Sequence, residues 1–316
     1  MNSSTFLGEV TYLEISAAKA GQRIDNFLHT HLKGVPRSHI YRILRTGEVR
    51  INKGRVKPTY RLTVGDVLRL PPVQYQPNNP NVPSANRRKE LANAILYEDA
   101  RMLILNKPAG MAVHGGSGLS GGVIEGLRAL YPNAPYLELV HRLDRDTSGC
   151  LMIAKKRSML RRLHELLRKN GIHKQYFALV QGRWNKQRTK VEAPLKKNFL
   201  QSGERLVRVS ADGKPATSQF SIERQFATTT LLRVQPLTGR THQIRVHAAS
   251  EGHPIAGDSK YGDDKFNQQM RYYTLKRLFL HAEKLEIHLH DINYRVTAYA
   301  PLPAALQQVL NRLETA

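Results

Sequence analysis

Apolar and polar positions alternate along this chain in two different rhythms. Near the start the apolar ones recur at helical spacing, Ile24, Phe27, Leu28 and Leu32 in "RIDNFLHTHL", then Ile40, Ile43 and Leu44 in "HIYRILRTG". This predicts two helices, the second capped by Ser38 after Pro36-Arg37 and stopped by Gly47, with Arg42 and Arg45 facing outward. Short strands are expected at "EVRIN" and "DVLRLPP". Residues 71–90, "PPVQYQPNNPNVPSANRRKE", carry five prolines and no apolar period, as an extended linker would. From Leu91 the rhythm becomes short apolar runs broken by Gly and Pro. Strands are expected at "ARMLILNKP", "GCLMIAK", "KQYFALVQG", "ATSQFSIERQ", "TTLLRVQPL", "RLFLHAEKLEIHL" and "YRVTAYAP", and helices at "GVIEGLRALYP", "SMLRRLHELLRKNG" and "THQIRVHAASEG". Strands scattered among isolated helices predict an α+β fold, a large, mostly antiparallel mixed sheet flanked by helices, not a doubly wound parallel one. The expected division is an extension at 1–20, a small domain at 21–70, the linker at 71–90 and a large domain at 91–316.

Charge narrows the partners. The 316 residues hold 49 Lys plus Arg against 25 Asp plus Glu, a formal charge of +24. An imbalance of this size points to a polyanion, a ribosome or free RNA, rather than to a membrane. No run approaches the ~18 apolar residues of a spanning helix, and "MNSSTFLGEVTYLEI" lacks the basic-then-apolar order of a secretory signal. The single cysteine, Cys150, sits in an apolar run and fits a reducing cytoplasm. Residues 21–70 contain eleven Lys or Arg and three acids. Arg37, His39, Arg42, Arg50, Lys53, Arg55 and Lys57 lie beside the apolar stripes with no aromatic ladder between them, which suits phosphate contact better than base stacking. This pattern resembles the S4-type (α-L) RNA-binding module, and the resemblance implies an RNA-positioning role.

Candidate chemistry concentrates in three places. In "LELVHRLDRDTSGCLMIAKK" (137–156), Arg142, Asp144, Arg145 and Asp146 stand between apolar runs. Asp146, followed by Thr147, Ser148 and Gly149, is the natural turn former. Asp144 has no such structural excuse, and an extended Val140–Asp144 would put it on one side with Arg142. The two acids stand too close for a glycosidase pair, and a Mg²⁺ site would want a third acid. In "GRTHQIRVHAASEGHPIAGDSKYG" (239–262), His242, His247, His253 and Asp258 invite a zinc reading, but His242 and His247 are five apart and no HExxH occurs. A helix there instead presents Arg245 as a rigidly based cation for a carboxylate elsewhere. In "HKQYFALVQG" a strand would put Lys174, Tyr176, Ala178 and Val180 on one face. The glycine-rich "VHGGSGLSGG" is not followed by the Gly-Lys-Ser/Thr of a nucleotide loop.

Taken together, these segments resemble the RluA-type family of RNA pseudouridine synthases. "HRLDRDTSG" looks like the first catalytic motif of that family, "KQYFALVQG" like the second, and "GRTHQIRVH" with "GHPIAGDSKYG" like the third. "LNKPAGMAVHGG", "RLFLHA" and "APLP" support the match. The resemblance implies that Asp144 is the catalytic aspartate, that Tyr176 lies against the target base, and that Arg245 pairs with Asp144. It further implies that Ile244 helps wall the pocket and that Arg142 enters the RNA where the uridine has left. The implied partner is RNA, foremost 23S ribosomal RNA of the large subunit, with transfer RNA left open by these residues. The residues themselves show no cofactor motif and no metal set, and a chain of this size suits a monomeric enzyme. Cys150, where a larger aliphatic is common, and "HLHDINYRV", without the usual Pro/Gly-rich turn, depart from the pattern. On these residues a non-catalytic RNA binder on the same scaffold stays open, as do three uses of the carboxylate: attack at C1′, attack at C6, or removal of the C2′ proton.

Overall fold

Apolar residues three and four apart do form helices in the first seventy residues. The computed structural model describes residues 9–17, 19–32, 35, 37–73, 83–115, 121–199 and 205–315. The chain divides into two compact units, Met1–Pro80 and Asn81–Ala316. In the first, β1 (Thr11–Glu14) precedes α1 (Ile24–His31) and α2 (Arg37–Arg45), followed by β2 (Arg50–Ile51), β3 (Gly54–Arg55) and β4 (Val67–Leu70). Ile24, Phe27, Leu28, Ile40, Ile43 and Leu44 are all buried, packed with Val49 and with Ile51, Leu68 and Leu70 of a sheet in the order β1-β4-β2-β3. Because α2 already begins at Arg37, Ser38 lies inside its first turn and does not cap it. Gly47 does end it, at φ 75°.

The second unit is built on one ten-stranded sheet. Its elements are α3 (Ala85–Asn93), β5 (Ile95–Glu98), β6 (Met102–Lys107), α4 (Val123–Leu130), β7 (Glu138–Leu139), β8 (Ser148–Ala154) and α5 (Arg157–Arg168). β9 (Ile172–Gln181), β10 (Lys190–Glu192), β11 (Leu195–Phe199), β12 (Arg205–Val209), β13 (Thr217–Gln225) and β14 (Thr229–Pro236) follow. The chain closes with α6 (Gln243–Ser250), α7 (Asp264–Tyr272), β15 (Leu280–Leu289), β16 (Tyr294–Tyr299) and α8 (Ala304–Glu314). The strand order is β10-β13-β14-β9-β15-β8-β6-β5, with β16 on β15 and β7 on β8. Only the β15–β8 pair is parallel. A separate hairpin pairs β11 with β12. The α+β architecture expected from the sequence is the one observed.

Both faces of this sheet are covered, and the two-residue period of the strands sorts the side chains between them. Leu103 and Leu105 of β6 and Leu151 and Ile153 of β8 join the core shared with α3, α4, α6, α7 and α8. Met102 and Ile104 with Cys150, Met152 and Ala154 join the opposite core, under Met159 and Leu163 of α5. Both strands therefore read as unbroken apolar runs. Residues 85–93, which begin inside the segment 71–90 read as linker and run past its end, form α3 with Ser84 accepting from the Arg87 amide. The glycine-rich stretch falls largely at 116–120, outside the described residues.

The sheet centre places the site. Ala282 of β15 lies opposite Tyr176 of β9 on one side and Gly149 of β8 on the other. Gly149 has φ 108°, and a Cβ on it would fall 2.2 Å from the Ala282 carbonyl oxygen. No side chain fits there, so the loop 140–147 enters β8 directly beside β15.

Candidate active site

A pocket of about 710 Å³ opens over this junction, a size that suits a nucleotide. Its walls include the loop before β8 with Asp144, the middle of β9 with Tyr176, and the start of α6 with Ile244 and Arg245, together with the end of α5 and the segment after β14. Leu143 is buried, and Arg142, Leu143 and Asp144 all line the cavity. Arg142 is exposed at its edge, and no ion pair joins it to Asp144 among the described residues. The expected mutual pairing of those two side chains is thus absent, because Asp144 is turned toward α6. Thr147 closes the turn with its amide on the Asp144 carbonyl at 3.2 Å. Asp146 takes the Arg145 Nε at 3.2 Å, while Ser148 bonds to His281 and Arg277, so the turn is made by backbone rather than by these side chains.

Arg245 does reach Asp144, Nη1 to Oδ2 at 3.4 Å, but its principal partner is Asp258. Nε and Nη2 donate to the two Asp258 oxygens at 2.7 Å each. Asp258 is fully buried and also accepts the amides of Lys260 and Tyr261 at 2.9 and 3.0 Å. Burial alone would push its carboxyl up; the Arg245 fork and those amides outweigh burial and hold it below the usual carboxylate range. The Tyr261 ring lies 4.9 Å from the guanidinium. Asp258 thereby fixes the guanidinium plane and leaves one Nη for Asp144. Gly257 makes the approach possible: at φ 74° its missing Cβ would stand 2.1 Å from the Arg277 carbonyl oxygen.

Tyr176 is buried, and burial first, then the charges of Asp144 and Cys150, push its phenol far above the ordinary value. It is a neutral O–H at any physiological pH. Lys174 shares its face and also lines the cavity, where burial lowers its pKa. Ile244 is buried in the wall. His242 stands at the N-cap of α6, with Nε2 3.7 Å from Asp144 Oδ1. His247 is spent on Ser218 and the Ala193 carbonyl, and His253 on the Gln181 carbonyl, so the histidines of this segment diverge.

Two contributors escaped the sequence reading in their actual roles. Asp258 was visible only as a member of a zinc set, although "GDSKYG" carries it. Lys107 of "LNKPAG" is wholly buried, and its Nζ donates to the carbonyls of Pro108, Met111 and Arg145 at 2.9, 2.9 and 3.0 Å. Burial and then Arg277 push it down to about 7, against the pull of Asp146 and Asp144. Three carbonyl acceptors nevertheless match the three N–H of an ammonium, so this cage holds the cation and ties the aspartate loop to the end of β6.

On the first unit, Arg42, Arg50, Lys53, Arg55 and Lys57 are exposed and His39 is half-buried. Arg42 pairs with Glu48 at 3.1 Å and meets His39 at 3.2 Å, and the Arg50 Nε donates to the Gly47 carbonyl at 3.0 Å. The side chain of Arg37 lies outside the described residues.

A carboxylate, a guanidinium and a phenol thus line one nucleotide-sized pocket at the centre of a large mixed sheet. The family model described as RNA pseudouridylate synthase matches residues 101–250, and that of the S4 domain matches residues 22–68. The chain belongs to the RluA family of RNA pseudouridine synthases. Particular relatives are close. "Ribosomal large subunit pseudouridine synthase C" of Salmonella typhimurium (strain LT2) is 56% identical over 97% of this chain and 98% of that protein. The protein of the same name from Escherichia coli (strain K12) is 55% identical over the same shares. Among solved structures, "Human RNA Pseudouridylate Synthase Domain Containing 4" matches with a TM-score of 0.59 at 26% identity, covering 72% of this chain and 96% of that one.

Proposed function

We propose that this protein converts specific uridines of 23S ribosomal RNA to pseudouridine, with Asp144 acting on a flipped-out nucleotide. One observation carries the reading: the Asp144 carboxylate, reached by the clamped guanidinium of Arg245, lines the same cavity as Tyr176. The choice of large-subunit RNA rests on the names of the relatives that match nearly the whole chain.

The reaction breaks the N1–C1′ bond, turns the uracil within the pocket, joins C5 to C1′, and moves the C5 proton off as N1 gains one. Nothing is oxidised and no group leaves the nucleotide, so the chemistry asks for neither redox nor carrier cofactor. Unstacking the target costs a few kcal/mol; Arg142, exposed at the pocket edge, offsets part of it by entering the vacated place in the RNA. An aspartate is an anion at neutral pH, as attack at C1′, attack at C6 and removal of the C2′ proton all require. Arg245 pairs with the Asp144 carboxylate and holds it in place without giving up a proton to it. Tyr176 and Ile244 supply the wall that keeps detached uracil from escaping.

Residues 21–70 act as the RNA-positioning domain, through phosphate contacts of Arg37, His39, Arg42, Arg50, Lys53, Arg55 and Lys57, while the second unit holds the chemistry and the proline-rich stretch before α3 joins the two. A ribosomal RNA substrate, as named for the relatives, fits a cytoplasmic enzyme, and the proposal takes it as a monomer. Among the described residues no helix is long and apolar enough to cross a membrane. The test is Asp144→Asn. It is expected to bind RNA with parental affinity and to form no pseudouridine in carbodiimide mapping. Substantial product would end the assignment and leave a cationic RNA binder.

A further inference from the structure

His242 is the one pocket residue whose backbone sits in the left-handed region without being glycine or Asn170, φ 53° and ψ 21°, at the N-cap of α6. Its side chain caps no backbone amide. This conformation is uncommon for a residue with a Cβ and tends to mark functional sites. At this position it turns the imidazole away from the helix and places it between two oxygen atoms. Nδ1 lies 2.7 Å from the Tyr261 hydroxyl, and Nε2 lies 3.7 Å from Asp144 Oδ1.

The hydrogen-bond order along this line decides the tautomer. The Tyr261 oxygen already accepts the Val207 amide at 3.0 Å. Its own O–H is therefore free to donate, and the acceptor within reach is His242 Nδ1. Burial raises the Tyr261 pKa, which keeps that proton on the phenol. With Nδ1 occupied as an acceptor, the ring N–H must be at Nε2, aimed at Asp144.

We infer that His242 is a positioning residue of the reaction: held by Tyr261 as the neutral Nε2–H tautomer, it fixes Oδ1 of Asp144 while Arg245 fixes Oδ2. The inference rests on the role of Asp144 proposed above. The gap of 3.7 Å exceeds a full hydrogen bond; such bonds commonly tighten only when substrate fills the site. A neutral donor has a chemical advantage in this setting. It orients the carboxylate without adding a second full cation beside it, and so leaves its basicity for the nucleotide. The surroundings favour the neutral ring. Burial, Arg245 and Lys260 push the His242 pKa down, Asp144 and Asp258 push it up, and the net direction is down. Tyr261 is itself anchored, because its amide is bonded to Asp258 and its ring packs on Arg245. Both donors to Asp144 are thereby held by one segment, residues 258–261.

The test uses the full-length enzyme in single-turnover pseudouridine formation on saturating ribosomal RNA. His242→Leu is expected to slow the chemical step about thirtyfold, the size of one lost hydrogen bond to a charged group, with RNA affinity within about twofold of the parent. His242→Gln retains an N–H near the position of Nε2 and is expected to recover about tenfold of that loss. Tyr261→Phe, which frees the tautomer, is expected to slow the step about fivefold in the parent and to have no effect in the His242→Leu background. A purely structural role would not produce that rescue or that non-additivity. Parental turnover by His242→Leu would overturn the inference, as would a His242→Gln enzyme as slow as His242→Leu, or additive losses with Tyr261→Phe. If His242→Leu fails to fold, the His242→Gln and Tyr261→Phe rates decide: a Gln enzyme more than thirtyfold slow refutes it. Asp144→Asn runs alongside. An active Asp144→Asn brings down the proposed function itself, whereas an inactive one with a fast His242→Leu removes only the positioning role of His242.

Discussion

Replacing Asp258 by Asn tests the electrostatic frame of the pocket without touching the carboxylate that faces the substrate. Asp258 is fully buried and takes four hydrogen bonds, two from Arg245 and two from the Lys260 and Tyr261 amides, the amides both on Oδ1. An Asn side chain has one acceptor oxygen where the carboxylate has two. Its NH₂ must face either Arg245 Nε or, turned over, Arg245 Nη2 with both amides, donor against donor. Arg245, only 8% exposed, is left with Asp144 at 3.4 Å as its one counter-ion among the described residues. Removing one partner of a buried pair costs roughly 3–5 kcal/mol. Because Asp144 still offsets part of the charge, the low end applies, about 3 kcal/mol. For a unit spanning residues 81–316, each kcal/mol lowers Tm by roughly 2–4 °C, so the drop should be about 6–12 °C. Arg245 is also expected to swing onto Asp144, misdirecting the carboxylate and slowing turnover by about tenfold or more. Thermal melts by circular dichroism and single-turnover pseudouridine formation measure the two effects. Asp144→Asn is the control. It leaves the Asp258–Arg245 fork intact and should lose activity with Tm within about 2 °C of the parent. An Asp258→Asn protein that melts with the parent would refute the claim that this pair holds the site together.

Two further outcomes follow from other parts of the molecule. His281 is fully buried, accepts from the Ser148 hydroxyl at Nδ1 (2.9 Å) and donates from Nε2 to the Ala300 carbonyl (3.0 Å), while Ser148 accepts from Arg277. Burial foremost drives its pKa down to about 4. Unfolded chains protonate this residue near pH 6.5 and the folded one resists to about 4, so the unfolded state binds the extra proton in that window. Stability should fall as pH drops from 6.5 to 4, by about 3 kcal/mol from this residue, and urea midpoints of His281→Gln should lose about that much less over the interval; parallel pH slopes would contradict it. On the first unit, neutralising Arg50, Lys53, Arg55 and Lys57 together should flatten the slope of log K against log salt for RNA by about 3 and leave the rate on saturating RNA within about twofold. An unchanged salt slope would take those side chains off the RNA.

Sequence alone carried much of the second unit because its signals are local. Unbroken apolar runs at Met102–Leu105 and Cys150–Ala154 mark strands covered on both faces, and they are. Helix α5 was legible from Leu160, Leu163 and Leu167, with Gly171 as its stop. Asp144 stood out because no turn chemistry needed it, and the resemblance then gave it a role. Three helices were not read. α3 buries only Leu91, and α7 only Phe266 and Met270, too few positions to establish a period. α8 shows Leu306, Val309, Leu310 and Leu313 at full helical spacing, a signal that was present and passed over behind "APLP".

What the chain order does not contain is which distant groups meet. Helical and strand periods are properties of a few neighbouring residues, and the sequence determines them outright. The partner of Arg245 is different: any of 25 acids satisfies its charge on paper. Only the packing of residues 257–261 against the segment leading into β15 selects Asp258, leaves Asp144 one Nη, and turns His242 toward the same carboxylate. Likewise, that β15 lies between β9 and β8, bringing Tyr176 beside the aspartate loop, depends on pairings roughly a hundred residues or more apart. Such contacts form where burial and hydrogen bonding of the whole sheet are satisfied together, a condition set by tertiary structure and by no local pattern.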